Sequence, residues 1–202
     1  MKTHFPSSVR QRLSALLLVI ATCLIWSGGA QAQTRIYMNF NNKTPKGGVL
    51  NDKPAYKDTI ELASFQFGSG RGISSPIAGG ANREASAPSI SEISVTSSFD
   101  PLVYPDLFLA SCIGKEVPVK IYVVSDAGGN GASFEPLKIE LENGLISGFS
   151  SSASTGDSGA GFFNISLNFT KITLTTTPLD PRTGQPGPPV VKFYDLATAK
   201  GG

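Results

Sequence analysis

Glu135-Pro-Leu-Lys-Ile-Glu-Leu-Glu142 is the stretch that decides the fold. Leu137, Ile139 and Leu141 alternate with Lys138, Glu140 and Glu142. Side chains of a strand point alternately to its two faces, so this period of two predicts a half-buried strand with a charged outer face. A helix would throw Leu137 and Ile139 to opposite sides. The same alternation recurs on either side. Ile36, Met38 and Phe40 alternate with Arg35, Tyr37 and Asn39, and Val117, Val119, Ile121 and Val123 line one face of another run. The second face of that run carries Lys120 but also Tyr122 and Val124, so a helix or another subunit is expected to cover it. The framework is all-β and mainly antiparallel.

Two runs change parity part way. Phe163, Ile165, Leu167 and Phe169 share a face, whereas Ile172 and Leu174 fall on the other; Ile60 and Leu62 slip in the same way against Phe65 and Phe67. One extra residue keeps both halves on the core side, which predicts β-bulges near Thr170-Lys171 and Ala63-Ser64. Bulged, strongly twisted strands suit a small closed barrel.

One segment, Asp100 to Ile113, reads as a short α-helix. Asp100 or Ser98 can cap its start, Pro101 or Pro105 suits its first turn, and Gly114 can end it. Val103, Leu107, Ala110 and Cys112 are expected to share a buried stripe with Phe108 at its edge. Five loops rich in Gly, Ser, Asn and Pro connect the elements: 41–58, 68–88, 126–133, 150–161 and 178–189. The prolines of the last (Pro178, Pro181, Pro186, Pro188, Pro189) predict an extended connector.

Residues 1–32 read as a secretory signal peptide. Lys2, Arg10 and Arg12 precede an apolar run from Leu13 to Trp26, and Ala30-Gln31-Ala32 sets the expected cut after Ala32. Cleavage leaves residues 33–202 as a single domain, exported to the periplasm or beyond the cell. It removes His4, Trp26 and Cys23, the only His, the only Trp and one of the two Cys. Three of the 17 basic residues go while all 15 acids stay, so the formal charge moves from +2 to −1. That balance offers no case for nucleic acid or a membrane as partner of the mature chain. Cys112 then has no partner for an internal disulfide, and it reads as a small buried hydrophobe.

Motifs for catalysis fail on their missing parts. Gly156-Asp157-Ser158-Gly159 has a nucleophile's surroundings but no histidine to take its proton. Gly68-Ser69-Gly70-Arg71-Gly72 lacks the lysine and helix of a phosphate cradle. Asp126, Asn130 and Glu135 do not follow the spacing of a calcium loop. Glu140 and Glu142 stand on a polar strand face, where solvated charge is the plainer reading. The sequons at Asn42, Asn164 and Asn168 arise easily in a chain this rich in Asn, Ser and Thr. No residue is expected to be catalytic, cofactor-binding or metal-ligating, and no enzyme is expected.

Several blocks taken together resemble the haemolysin-coregulated protein (Hcp) family, the tube protein of type VI secretion systems. They are Arg35-Ile-Tyr-Met-Asn-Phe40, Ile60-Glu-Leu-Ala-Ser-Phe65, Leu107-Phe-Leu-Ala-Ser-Cys-Ile-Gly-Lys115, Glu135 to Glu142 and Ser166-Leu-Asn-Phe-Thr-Lys-Ile172. The resemblance covers residues 35–196. It implies a compact β-barrel of two sheets with one docked helix. It also implies hexameric rings stacked into a tube that carries effectors, with spike proteins as further partners. Loops 41–58 and 68–88 match the long loop through which a ring reaches its neighbour, and the resemblance carries over no catalytic residue. A leader peptide departs from the family, whose tube assembles in the cytoplasm.

The leading expectation is therefore an exported structural protein of Hcp-like fold that self-associates. The alternative is a monomeric secreted binding module on the same fold, with specificity in loops 41–58 and 68–88. A carboxylate hydrolase built on Glu140 and Glu142 is the third.

Overall fold

The computed structural model describes residues 33–41, 56, 59–74, 84–126, 133–155 and 161–202. The leader 1–32, its cut after Ala32, the sequon at Asn42 and all of Gly156–Ala160 lie outside them. Alternating sequence becomes strand wherever it was long. β1 is Thr34–Phe40, and β2 (Ile60–Leu62) and β3 (Ser64–Gln66) follow. Four two-residue strands come next: β4 (Ser69–Gly70), β5 (Ile73–Ser74), β6 (Glu84–Ala85) and β7 (Ser89–Ile90). After β8 (Ile93–Ser98) stands the helix α1 (Tyr104–Ile113). Then come β9 (Val117–Ser125), the long β10 (Phe134–Ser152), β11 (Phe162–Asn168), β12 (Lys171–Thr176), β13 (Val190–Asp195) and β14 (Lys200–Gly201).

Two antiparallel sheets result, and β10 belongs to both. Its first half pairs with β9 on one side and β12 on the other, giving the order β2-β1-β9-β10-β12-β13-β14. Its second half pairs with β11, which continues to β8 and β3. The apolar faces meet in a core of Met38, Ile93, Val119, Ile121, Ile139, Leu141, Phe163, Ile165 and Leu167, all essentially without solvent contact. The ladders do not close into a barrel, which corrects that expectation. Among the described residues, at the far side β2 pairs only with β1 and β3 only with β8, and Ala63 between them sends its N–H to Thr96 O at 2.8 Å. A ladder cannot run unbroken through a residue that changes parity.

The parity slips mark where the chain passes from one sheet to the other. Buried positions in β10 run Ile139, Leu141, Gly144, Ile146, and in the facing strands Leu167, Phe169, Ile172. Both sequences take a three-residue step at the same corner. The extra residues lie in β10, not at Thr170-Lys171: its register shifts between Leu141 and Gly144 against β9, and between Ile146 and Gly148 against β11. Glycine is required at 144, where a Cβ would stand 2.7 Å from Val119 Cγ2 and 2.9 Å from the Val117 carbonyl oxygen. Asn143 beside it adopts φ 52° and donates from Nδ2 to Thr170 Oγ1 at 2.9 Å, tying the bend together.

The stretch 178–189 is not an extended connector. Asp180 and Gln185 face each other across a turn, with Asp180 N–H to Gln185 O at 2.9 Å and Gly184 N–H to Asp180 O at 2.8 Å. The Asp180 carboxylate also accepts the Arg182 N–H at 2.8 Å. Aspartate's ability to bond its own downstream backbone outweighs the stiffening by proline here.

Candidate interaction surfaces

The outer face of the β1–β9 pair is closed by the chain itself. Tyr37 of β1 stands opposite Tyr122 of β9 in register. The ring of Tyr56 stacks on Tyr37 at 5.2 Å between centroids and meets the edge of Tyr122 at 5.6 Å. Tyr37, Tyr56 and Val124 are all buried in this small second core. So the cover expected from a helix or another subunit comes from Tyr56, within the loop 41–58. Three hydrogen bonds hold it: its hydroxyl donates to Glu135 Oε1, and its carbonyl accepts from Thr59 Oγ1 at 2.6 Å and Thr59 N–H at 3.3 Å. Burial first, and then the bond to Glu135, push the Tyr56 hydroxyl well above its ordinary range. Burial raises Tyr122 too, followed by the charges of Glu135 and Glu140.

Further along the same face the charges are spent on one another. Glu140 lies 2.9 Å from Lys138 and 3.5 Å from Lys120, and Glu142 lies 2.7 Å from Lys171. Burial pushes the Glu140 carboxyl up, but the hydrogen bonds and charge of Lys138, then Lys120, outweigh it and leave the group below its usual value. A carboxylate held ionised by two ammonium groups is a poor proton donor. Glu135 is engaged with Tyr56, and Asn130 of the imagined calcium set is outside the described residues. Asn164 accepts from Thr96 Oγ1 at 2.6 Å, and Asn168 donates to Glu92 Oε1 at 3.2 Å.

The Gly-Ser-Gly-Arg-Gly stretch, read as loop, is one side of a two-stranded arm. β4 pairs with β7 and β5 with β6. Serine hydroxyls supplement the ladder. Gly68 N–H donates to Ser91 Oγ at 2.8 Å and Gly72 N–H to Ser86 Oγ at 2.9 Å, while Ser89 Oγ donates to Gly70 O at 3.4 Å. Glycines at 68, 70 and 72 thus each face a serine, and their lack of a side chain lets the hydroxyl reach the backbone. An open depression of about 510 Å³ sits where the arm leaves the sheets, lined by Gln66, Phe67, Gly68, Ser91, Glu92 and Ser94.

Helix α1 begins later than Asp100. Asp100 starts a turn instead: its Oδ1 accepts the Leu102 N–H at 2.9 Å, and its carbonyl accepts from Tyr104 N–H at 2.9 Å. Gly114 ends the helix in the left-handed conformation, φ 67°, with its N–H on Ala110 O. Val103 and Leu107 are buried and Ala110 is partly so. Cys112, expected in that stripe, is exposed. Five residues beyond Leu107 the helix has turned to its other side. The aromatic ring of Tyr104 anchors α1 by meeting Phe99 at 4.7 Å and Phe149 at 5.2 Å. Phe108, Leu109 and Ile113 face solvent.

A type six secretion system protein superposes with a TM-score of 0.73 at 19% identity, over 84% of this chain and 100% of its own. Hcp1 from Salmonella typhimurium gives 0.63 at 16% identity, over 83% and 98%. The secreted protein Hcp3 from Pseudomonas aeruginosa gives 0.53 at 14% identity, over 81% and 98%. At such identities the likeness establishes the fold. No curated protein matches the chain. The family described as type VI secretion system effector, Hcp, matches residues 37–175, which span both sheets, the arm and α1. The chain belongs to the Hcp family of type VI secretion system effectors.

Proposed function

We propose that this protein is an exported, non-enzymatic structural subunit that self-associates into hexameric rings, and that stacked rings form a tube carrying effectors. The observation that carries this reading is the arm built from β4 to β7. A lone two-stranded hairpin is marginal in water, and this one pairs only two residues at each step. Such an arm gains its order from a neighbour, and in a stack of rings the neighbour is the next ring. The outer edge of β13 is paired by the chain's own end from Phe193 to Asp195, and its first half, Val190 to Lys192, offers each subunit a place for lateral contact. Export by the leader 1–32 places the assembly in the periplasm or outside the cell.

Gel filtration with light scattering on residues 33–202 tests the reading. A mass six times that of the chain is expected, and a strict monomer at high concentration overturns it in favour of a monomeric binding module. The mass of the protein recovered outside the cytoplasm tests export: cleavage leaves Gln33 as its first residue.

A further inference from the structure

We infer that the outer face of the sheet formed by β3, β8, β11 and the second half of β10, with the depression at its edge, binds a neutral, extended glycan of the β-1,4-linked kind. The inference goes beyond the self-association reading and does not depend on it. Register places Ser150, Asn164, Thr96 and Ser64 side by side across the four strands. The next row runs Gly148, Ser166, Ser94 and Gln66. These positions alternate with the buried Val95 and Ile165, so they face away from the core. No Lys, Arg, Asp or Glu stands on either row. The outer face of the other sheet is built differently, from Lys120, Lys138, Glu140 and Glu142 among others. Protein surfaces carry about a quarter to a third charged residues, so neighbouring rows without one express a chemical preference. Thr96 Oγ1 donates to Asn164 Oδ1 at 2.6 Å, which uses the amide oxygen and leaves its two N–H donors for a ligand.

The depression of about 510 Å³ continues the second row, because Gln66 and Ser94 belong to both. Its size falls within the roughly 300–1,000 Å³ of small-molecule sites. Phe67, 36% exposed and stacked on Phe65 at 6.5 Å, supplies an aromatic wall. Glu92 stands at the rim, where its Oε1 accepts from Asn168 Nδ2 at 3.2 Å. Phe162, 49% exposed, gives the face a second ring at its other end, opposite Ser98. Hydroxyl and amide groups both donate and accept, which matches sugar hydroxyls, and an aromatic ring receives the C–H side of a pyranose. The fixed carboxylate can accept from two hydroxyls and repels an anion. Neither the rows nor the depression holds a Lys or Arg to bind phosphate. An extended peptide would join a sheet edge through its backbone rather than lie on a face. Strands stand about 4.8 Å apart, close to the length of one β-1,4-linked pyranose unit. A chain laid across the rows therefore offers one sugar to each strand.

Isothermal titration calorimetry of residues 33–202, which form a compact unit by themselves, tests the site with cellohexaose and chitohexaose. Saturable binding of at least one is expected, and none of maltohexaose, whose α-1,4 linkages curl the chain. Affinity is expected to rise with oligosaccharide length up to four units, one for each strand, and to level off beyond. Phe67→Ala should weaken binding about tenfold and Asn164→Ala roughly fivefold, both with the wild-type circular dichroism spectrum. Glu142→Gln, on the other sheet, should bind as the wild type does. No heat with either cellohexaose or chitohexaose overturns the inference. Wild-type affinity in both Phe67→Ala and Asn164→Ala overturns it as well, because the glycan then sits elsewhere. Equal binding of maltohexaose, or affinity already level at two units, overturns the extended chain across the strands.

Discussion

Tyr56 lies flat on Tyr37, with ring centroids 5.2 Å apart and planes 11° apart. A residue from a loop thereby seals a sheet face that carries two further apolar side chains, Tyr122 and Val124. The stack makes the loop 41–58 part of the fold at one point.

Replacing Tyr56 is expected to cost accordingly. Tyr56→Ala empties a buried aromatic site and should destabilise by about 3 kcal/mol. Tyr56→Phe keeps the stack but leaves Glu135 without its donor, a loss of about 1–2 kcal/mol. Urea denaturation of residues 33–202 measures both, and an unchanged midpoint for Tyr56→Ala would contradict the sealing role.

Stability should fall on the alkaline side. Burial holds the Tyr56 hydroxyl above the ordinary 10.0, so the folded chain keeps a proton that the unfolded chain releases. The contribution is complete below pH 10.0 and is lost as pH rises beyond it. Tyr56→Phe should flatten part of that fall, with Tyr122 supplying the rest. On the acid side Glu140 behaves oppositely. Its lowered value contributes stability above 4.5 that disappears as pH falls through it. The carboxylate is 31% exposed, so the effect should stay under about 1 kcal/mol. Chemical denaturation series at several pH values, with Glu140→Gln as control, separate the two.

Gly144→Ala should be far worse than an ordinary strand substitution. The added methyl would meet Val119 Cγ2 at 2.7 Å and the Val117 carbonyl oxygen at 2.9 Å, and backbone cannot step aside. Overpacking of this kind costs about 1–3 kcal/mol. A melting temperature equal to that of the wild type would show that the corner of β10 is looser than its contacts imply.

Cys112 should react with a maleimide in dilute native protein without denaturant, because its side chain is exposed. Cys112→Ala should change stability by less than about 0.5 kcal/mol. Protection at low concentration would place the thiol back in the core.

Much of the fold was legible before the structure. Leu137 to Leu141, Val117 to Ile121 and Ile36 to Phe40 are strands whose assigned faces pack on the core, whereas Tyr37 and Val124 are buried on the opposite face and Val123 is only partly buried. The parity slip between Phe169 and Ile172 carried real information, since it marks the corner between the sheets. Its partner slip, Leu141 to Gly144, went unread because glycine carries no hydrophobic signal. The arm was hidden for a similar reason: strands of Gly and Ser have no periodicity, and their pairing depends on hydroxyl–backbone bonds between residues 14 to 23 positions apart. Cys112 was misplaced because its apolar neighbours stand on both sides of α1.

Alternation of apolar and polar residues is a local property, and by itself it determined that the chain is β-rich, which faces of the long strands are buried, and where one helix lies. Histidine is absent from residues 33–202, which is read from the sequence directly. Which surfaces are free was decided only by the tertiary structure. Tyr56 covers Tyr37 from nineteen positions away in sequence, and the outward half of α1 is left bare by the direction in which the helix docks. Burial depends on what arrives from elsewhere in the chain, and no local pattern records that arrival.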